Sequence, residues 1–483
     1  MLSVADLLRD SAFVNGHWVD AISGSRFGVS NPADGEVFAT VPDMSSSDAA
    51  TAIEAAQNVF PSWKATLASD RALLLKRWHS LILDNQEDLA LLMTLEQGKP
   101  LSEARGEVAY AASFVEWFAE EARRVNGDVI PQHASDHRIL TFREPVGVVA
   151  AITPWNFPSA MITRKVAPAL AVGCTVVVKP SELTPLSALA LARLAEDAGF
   201  PPGVLNVITA SDPEPVGNEI VRSTTVKKIS FTGSTRVGKI LLKGSAETVK
   251  RVSLELGGNA PFIVFDDADL ERAVDGVLAS KYRNAGQTCV CANRIFVQEG
   301  IIEAFSDLLI KKVEALRVGP GEDDKSVIGP LINMEAVQKI ERLMNHALQN
   351  GARIRTGGGR HSLGRTFFQP TVLSDVEDEM EISREEIFGP IAGITRFETE
   401  EEVLVRANNT PFGLAAYFYT NDSKRIWRVS EGLQYGMVGV NTGLMSTPVA
   451  PFGGVKESGL GREGSIYGID EYLETKYVCQ GGI

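Results

Sequence analysis

The cysteine at position 289 follows a polar run made of Gly286, Gln287 and Thr288. This run separates Cys289 from the apolar stripe of the preceding helical stretch, so we expect its thiol on an accessible loop. A thiolate is a nucleophile, and an accessible one can attack an electrophilic carbon. Most free cysteines are small buried hydrophobic residues, however, and the residue alone leaves both interpretations open.

The glutamate at position 255 lies between two leucines and precedes two glycines in the segment SLELGG. Apolar surroundings raise the pKa of a carboxyl group. A raised pKa suits a general base that works near neutral pH. A structural role, in which backbone N–H groups bind the carboxylate, is an equal alternative.

Two other segments have features of a nucleotide site. In FTGST, Gly233 ends a predicted strand and Ser234 begins a helix, whose free N–H groups can hold a phosphate. In VVVKPSE, Lys179 and Glu182 follow another predicted strand, and a carboxylate there suits ribose hydroxyls and opposes a 2′-phosphate. Glu182 therefore favours NAD+ over NADP+. The alternatives are an ordinary strand–helix turn for the first segment and a solvated loop for the second.

The pattern of elements changes along the chain from helices to alternating strands and helices. Residues 146–264 alternate short β-branched runs with helical stretches, which predicts a parallel sheet covered by helices. Residues 261–452 predict a second α/β domain in the same way. Ligands bind beyond the carboxyl ends of such strands, where PWN, KPSE and FTGS all fall. Residues 125–142 and the C-terminal KYVCQGG are candidates for strand pairing with another subunit.

The segments TPWNF, KPSE, FTGST, LELGG, GQTC and EEIFGP occur in this order along the chain. In these segments the chain resembles the aldehyde dehydrogenase superfamily. The resemblance implies an α/β fold with two Rossmann-like parallel-sheet domains and a small β element for oligomerisation. It implies a cofactor domain at 1–124 and 143–254, a catalytic domain at 255–455, and an oligomerisation element at 125–142 and 456–483. A homodimer or homotetramer is expected.

The same resemblance implies NAD(P)+-dependent oxidation of an aldehyde to an acid. Cys289 would attack the aldehyde carbon to form a thiohemiacetal. The Asn156 side-chain amide and the Cys289 backbone N–H would stabilise the oxyanion, and Glu255 would activate the water that hydrolyses the thioester. The residues implied in cofactor binding are Trp155, Asn156, Lys179, Ser181, Glu182, Gly233, Ser234, Leu256, Glu386 and Phe388.

Within the superfamily, segments such as MITRK, RNAGQTCVCANR and VAPFGGVKESGLGREGS are similar to those of succinate-semialdehyde dehydrogenases. The similarity implies that Arg164, Arg283 and Ser446 bind the far carboxylate of a short ω-oxo acid. Considered alone, Arg164 suits a solvated helical face and Arg283 a helix C-terminus. Glutarate semialdehyde, one methylene longer, would differ by only ~1–3 kcal/mol and is the alternative substrate. A broader aldehyde specificity is a further alternative, and 4-aminobutyrate or lysine breakdown is the expected pathway.

Composition limits the remaining possibilities. The 483 residues contain 47 Lys plus Arg against 61 Asp plus Glu, and the net charge of −14 opposes binding to nucleic acid or anionic membranes. Four scattered cysteines form no disulfide framework, and the N-terminus lacks a secretory pattern, so we expect a cytoplasmic enzyme. No metal site is predicted. A disulfide between Cys289 and Cys291 under oxidation is a further hypothesis.

Overall fold

The computed structural model describes residues 7–483. In this part of the chain the strands are β1 (Ala12–Val14), β2 (His17–Val19), β3 (Arg26–Ser30), β4 (Val37–Pro42), β5 (Val129–Ile130), β6 (His137–Pro145), β7 (Val148–Ile152), β8 (Thr175–Lys179), β9 (Leu205–Val207), β10 (Val226–Thr232), β11 (Arg251–Glu255), β12 (Ala260–Val264), β13 (Ala292–Gln298), β14 (Arg353–Thr356), β15 (Thr371–Ser374), β16 (Ile391–Phe397), β17 (Ala415–Tyr419), β18 (Met437–Val440), β19 (Gly459–Leu460) and β20 (Leu473–Gly481). The helices are α1 (Ser46–Ala65), α2 (Ala68–Asp84), α3 (Gln86–Gln97), α4 (Leu101–Glu121), α5 (Ala160–Val172), α6 (Pro185–Ala198), α7 (Pro213–Arg222), α8 (Thr235–Ser245), α9 (Leu270–Val277), α10 (Ile302–Glu314), α11 (Met334–Gln349), α12 (Glu381–Arg384), α13 (Glu400–Asn408) and α14 (Ser423–Gly432).

The first sheet has eight strands in the order β19-β11-β10-β7-β8-β9-β1-β2. The strands from β11 to β9 are parallel, and β19 and β1 pair antiparallel to them at the two sides. Helices cover both faces: Val176 and Val178 of β8 pack in one core with α2, α4, α5 and α6, and Val177 packs in another with α1, α7 and α8. A strand buried on both faces is apolar without alternation, as the sequence VVV indicates.

The second sheet has seven strands in the order β14-β15-β16-β13-β12-β17-β18, and only β14 is antiparallel to its neighbour. Phe262 and Val264 of β12 pack with α9, α10 and α11, while Ile263 and Phe265 pack with α13 and α14. The two predicted parallel-sheet units are therefore confirmed.

The third sheet is small and antiparallel, in the order β20-β6-β5. The predicted edge segments thus pair with each other, β20 with β6 and β6 with β5. Strand β19, which falls within 456–483, pairs with β11 in the first sheet. The division into domains remains a prediction. Among the described helices, none is long and apolar enough to cross a bilayer.

Candidate active site

The parallel strands of the first sheet bring four polar segments to one edge. The segment after β7 carries Trp155 and Asn156, and the segment after β8 carries Ser181 and Glu182. The segment after β10 carries Gly233 and Ser234, and Leu256 follows β11. Parallel strands must end on the same side of a sheet, so the fold places these segments side by side. Segments up to about a hundred residues apart in sequence therefore surround one opening.

A cavity of about 350 Å³ lies at this edge, between the first sheet and the elements of the second. Eight of the predicted site residues line it: Trp155, Asn156, Gly233, Ser234, Leu256, Cys289, Glu386 and Phe388. The rings of Trp155 and Phe388 meet edge to face with centroids 5.6 Å apart. The thiol and most of the residues implied in cofactor binding therefore share one cavity.

The start of α8 faces this cavity. The hydroxyl of Ser234 caps the helix by accepting a hydrogen bond from the Val237 backbone N–H at 3.3 Å. A Cβ added at Gly233 would approach the Phe231 ring to 2.4 Å, so only glycine fits this turn without movement. A helix N-terminus carries partial positive charge and free N–H donors, which suits a dinucleotide pyrophosphate.

Lys179, Ser181 and Glu182 lie beside the cavity and do not line it. The Lys179 ammonium donates to the Glu182 carboxylate at 3.3 Å, and the Glu182 side chain is 37% exposed. Burial lowers the pKa of Lys179, and Glu182 acts in the opposite direction. A carboxylate held at the rim by a neighbouring lysine can accept hydrogen bonds from ribose hydroxyls.

Cys289 is half-buried on a loop with unusual backbone geometry. Residues 284–286 have consecutive positive φ angles of 51°, 53° and 76°. Such conformations cost about 1–3 kcal/mol each for residues other than glycine and persist only where contacts enforce them. The Asn284 backbone N–H donates to the Glu103 carboxylate at 2.8 Å, and the Gln287 side-chain amide donates to the Asn284 carbonyl at 3.1 Å. These contacts fix the loop that presents the sulfur.

Burial raises the pKa of the Cys289 thiol to about 12, with Glu386 contributing and Arg164 opposing. Glu386 itself has a pKa raised to about 7 by burial, although its carboxylate accepts a hydrogen bond from the Gly258 N–H at 3.1 Å. A pKa raised in this way favours the protonated thiol near neutral pH. Nucleophilic attack requires that its proton leaves.

The side-chain amide of Asn156 already points at the cysteine loop. Its Nδ2 donates to the Gln287 carbonyl at 3.0 Å, two residues before Cys289. The Asn156 backbone carbonyl accepts hydrogen bonds from Lys99 Nζ at 2.8 Å and from Asn284 Nδ2 at 3.0 Å. Both the side chain and the backbone of Asn156 are therefore tied to the loop that carries Cys289.

Lys99 and Glu107 form a buried ion pair behind Asn156, with Nζ and Oε2 2.5 Å apart. The second Glu107 oxygen accepts from the backbone N–H groups of Ser159 and Ala160, at 3.0 and 3.2 Å, at the start of α5. Burial lowers the pKa of Lys99, and Glu107 opposes this shift. Sequence reasoning missed both residues, because a lysine and a glutamate at a helix start normally indicate a solvated surface.

Glu255 is 2% exposed, and neither oxygen of its carboxyl group has a hydrogen-bond partner among the described residues. Burial raises its pKa well above the usual value, Glu463 adds to this shift, and Arg164 and Lys165 oppose it. The raised pKa of Glu255 is the shift that its apolar neighbours in the segment SLELGG predict. Glu255 is not among the residues that line the main cavity, although its sequence neighbour Leu256 is.

Arg164 is buried rather than solvated, with 1% of its surface exposed. Its Nε lies 2.5 Å from Glu463 Oε2, its guanidinium covers the Phe452 ring at 4.0 Å, and its Nη2 has no partner among the described residues. The interpretation as a solvated helical face is therefore wrong. A buried guanidinium with a free N–H edge is suited to an anionic ligand.

Arg283 and Ser446 line a second, narrower cavity together with Thr288 and Val290, the two neighbours of Cys289. The Arg283 guanidinium lies over the Phe157 ring at 4.7 Å. Arg283 and Ser446 therefore lie next to the two sequence neighbours of Cys289, in a cavity separate from the one that the cofactor-type segments line.

Tyr110 of α4 belongs to this region and was missed by sequence reasoning. Its ring packs edge to face against Phe114 at 4.9 Å, and its buried hydroxyl lies near Ser446. Burial raises the pKa of Tyr110, and the charges of Arg164 and Arg283 oppose this shift. A tyrosine in an amphipathic helix indicates core packing, so the sequence carried no sign of this role.

The start of α11 forms the remaining wall of the main cavity. The residues there are Ile332, Asn333, Glu335, Ala336 and Lys339. Lys339 donates to the Glu386 carbonyl at 2.6 Å and so connects this helix to the segment EEIFGP. Nothing in the sequence IGPLINMEAVQK distinguished this helix start from others.

Cys291 is buried, and its thiol contacts the Lys281 carbonyl at 3.7 Å. Both Cys289 and Cys291 are free thiols. The disulfide hypothesis remains a prediction.

The comparison with known proteins agrees with this geometry. The family model described as "Aldehyde dehydrogenase family" matches residues 18–478. The chain is 58% identical to a mitochondrial succinate-semialdehyde dehydrogenase of Oryza sativa subsp. japonica, over 99% of this chain and 91% of that protein. It is 57% identical to a glutarate-semialdehyde dehydrogenase of Pseudomonas aeruginosa, over 100% of both chains. The crystal structure of an NADP-dependent enzyme from E. coli superposes with a TM-score of 0.99 at 55% identity, covering 100% of both chains.

The chain therefore belongs to the aldehyde dehydrogenase family. It is an oxidoreductase that acts on aldehydes and uses NAD(P), as the family does.

Proposed function

We propose that this chain oxidises succinate semialdehyde to succinate. The observation that carries the proposal is the group of Arg164, Arg283 and Ser446 around the loop of Cys289, in a chain whose net charge is otherwise −14. Two guanidinium groups near the reactive sulfur favour an aldehyde that carries a second, anionic end. The names of relatives that are more than half identical support the same substrate class.

The far carboxylate would accept hydrogen bonds from the Arg164 Nη2, from Arg283 and from the hydroxyl of Ser446. This binding places the aldehyde carbon beside Cys289 Sγ. A short chain is required, because Thr288 and Val290 lie in the wall of the narrow cavity directly beside the cysteine. Binding energy from the remote carboxylate then helps to orient the reacting carbon.

Cys289 attacks the aldehyde carbon through its sulfur: the thiol proton passes to water, the C–S bond forms, and the carbonyl π electrons move to the oxygen as the oxyanion. The oxyanion of the thiohemiacetal accepts hydrogen bonds from Asn156 Nδ2 and from the Cys289 backbone N–H. For this the Asn156 amide turns from the Gln287 carbonyl towards the new oxyanion. A donor of this kind is worth about 3 kcal/mol of transition-state stabilisation.

The cavity suits a nicotinamide dinucleotide at the start of α8 and beside the contacting rings of Trp155 and Phe388. The middle of the cofactor would be held by Gly233, Ser234 and Leu256. Its adenosine end would be held by Lys179, Ser181 and Glu182, and its nicotinamide ribose by Glu386. When bound, the cofactor supplies the acceptor for the hydride that leaves the thiohemiacetal carbon. The protein's own part is to hold that carbon, covalently bound to Cys289, at one end of the same cavity.

Glu255 completes the reaction by activating a water molecule that hydrolyses the thioester and releases the thiol. Burial raises the pKa of Glu255 well above the usual value, so a growing fraction of this carboxyl group can act as a base as the pH rises. Deacylation should therefore become faster with rising pH.

Glu182 supports NAD+ as the preferred cofactor, since a rim carboxylate opposes a 2′-phosphate. The similar E. coli structure is described as NADP-dependent, which supports NADP+ as the alternative. We also propose a homodimer or homotetramer in the cytoplasm, with a role in 4-aminobutyrate degradation. Exposed apolar residues of the third sheet, such as Val129 and Tyr477, support subunit contacts there.

Glutarate semialdehyde is the second candidate, and the name of the Pseudomonas aeruginosa relative favours it. The decisive measurement compares kcat/KM for succinate semialdehyde, glutarate semialdehyde and butanal, each with NAD+ and with NADP+. We expect both semialdehydes to exceed butanal by about 100-fold or more, because butanal forms no charge-assisted hydrogen bonds. Equal values for butanal and the semialdehydes would rule out carboxylate recognition, and no aldehyde-dependent NAD(P)H formation would rule out the reaction itself.

A further inference from the structure

Three side chains with metal-binding atoms meet on the third sheet, apart from the active-site cavity. The ligand atoms of His133, His137 and Cys479 all lie within 4.8 Å of one another. The two imidazole rings have centroids 4.9 Å apart. His133 lies in the loop between β5 and β6, His137 begins β6, and Cys479 lies in β20. The mechanism proposed above uses none of them.

The register of β6 and β20 brings two of these side chains to the same face. His137 pairs with Gly481 and Ile139 pairs with Cys479, so His137 and Cys479 are diagonal neighbours. A Cβ added at Gly481 would lie 3.0 Å from His137 Nε2. Glycine therefore leaves room for the His137 ring to lean across β20, next to the exposed thiol of Cys479.

The His137 ring is also oriented by a carboxylate. Its Nδ1 lies 2.7 Å from an Asp136 carboxylate oxygen. A hydrogen bond there keeps the proton on Nδ1 and leaves the Nε2 lone pair available, which is the arrangement of histidines that bind metals. The ring nitrogen that lies over Gly481 of β20, Nε2, is thus the one able to act as a ligand.

Imidazole nitrogen and thiolate sulfur together favour Zn²⁺ among the common divalent ions. Tetrahedral bonds of about 2.0–2.3 Å place ligand atoms about 3.3–3.8 Å apart. The three atoms need to approach one another by no more than about 1.5 Å, which rotation of exposed side chains supplies. A water molecule can complete the fourth position, and ion binding would displace the Cys479 thiol proton.

We propose that His133, His137 and Cys479 form a site for a borderline-soft divalent metal ion such as Zn²⁺, which joins the β5–β6 loop to the C-terminal strand. The site is independent of the aldehyde reaction. No short stretch of sequence contains all three side chains, because the cysteine lies about 340 residues after the two histidines.

The test uses the full-length protein, stripped with a chelator and titrated with Co²⁺, whose absorption reports thiolate ligation. We expect one Co²⁺ per chain with a thiolate charge-transfer band, displaced by Zn²⁺. Replacing Cys479→Ser should abolish the band, and His137→Asn should weaken binding by about 100-fold, since one of three protein ligands is lost. His17→Asn, at an exposed histidine of β2, is the matched control and should bind as the unaltered protein does.

Aldehyde oxidation should be unchanged in all three variants, which separates this site from the active-site thiol. Absence of Co²⁺ binding to the stripped protein would overturn the proposal. A band that survives Cys479→Ser would also overturn it, because the thiolate would then belong to another cysteine.

Discussion

Replacing Lys99 by methionine tests whether the buried ion pair holds the oxyanion donor in place. The variant removes the hydrogen bond that Lys99 Nζ donates to the Asn156 backbone carbonyl. The hydrogen bond that Asn284 Nδ2 donates to the same carbonyl remains. A hydrogen bond from a charged donor is worth about 1.5–3 kcal/mol. Since 1.36 kcal/mol corresponds to a factor of ten in rate, we expect the acylation step to slow by about 10–100-fold.

Folding stability should fall as well, because Glu107 loses its cation. An unpaired buried charge costs about 3–5 kcal/mol, but Glu107 keeps the N–H groups of Ser159 and Ala160, so we expect the lower end of that range. Kinetics should therefore be measured at a temperature where thermal denaturation shows the variant to be folded. Lys312→Met, at an exposed ion pair with Asp275, is the matched control and should change neither property appreciably.

The assay is single-turnover formation of NAD(P)H with excess enzyme, which reports acylation without deacylation. Asn156→Ala should slow this step by about 100–1,000-fold. If Lys99 acts only through Asn156, the double variant should be no slower than Asn156→Ala alone, because residues that act as a unit are not additive. Rate losses that multiply in the double variant would refute the reasoning, as would an unchanged rate in folded Lys99→Met.

Three further predictions concern the substrate, the base and the cofactor. Arg283→Leu should lower kcat/KM for succinate semialdehyde by about 10–100-fold, while kcat/KM for butanal should change little. An equal loss of kcat/KM for both aldehydes would contradict carboxylate binding. Glu255→Gln should give a rapid formation of about one equivalent of NAD(P)H per site, followed by very slow turnover. Because the pKa of Glu255 is raised, the unaltered enzyme should deacylate faster as the pH rises, and the variant should lose this pH dependence. Persistent steady-state turnover in the variant would assign hydrolysis to another group. Glu182→Ser should raise the ratio of kcat/KM for NADP+ to that for NAD+ by about tenfold, through removal of like-charge repulsion, and a constant ratio would show that Glu182 does not face the ribose.

The sequence alone determined the two parallel-sheet units and the edge at which the polar segments meet. This was possible because strand and helix periodicity is local and because parallel strands must end on the same side. It also determined the candidate nucleophile, oxyanion donor and base, since Cys289, Asn156 and Glu255 lie within short motifs whose order along the chain is specific.

Only the tertiary structure decided which charges meet inside the protein. Lys165 and Glu463 form a buried ion pair across 298 positions of sequence, and Lys99 reaches the Asn156 carbonyl across 57. Tyr110 and the start of α11 join the site only because packing brings their helices there. A charged or aromatic side chain on a helix has the same local pattern whether it meets solvent or a distant partner, so its role depends on contacts that no short stretch of sequence contains.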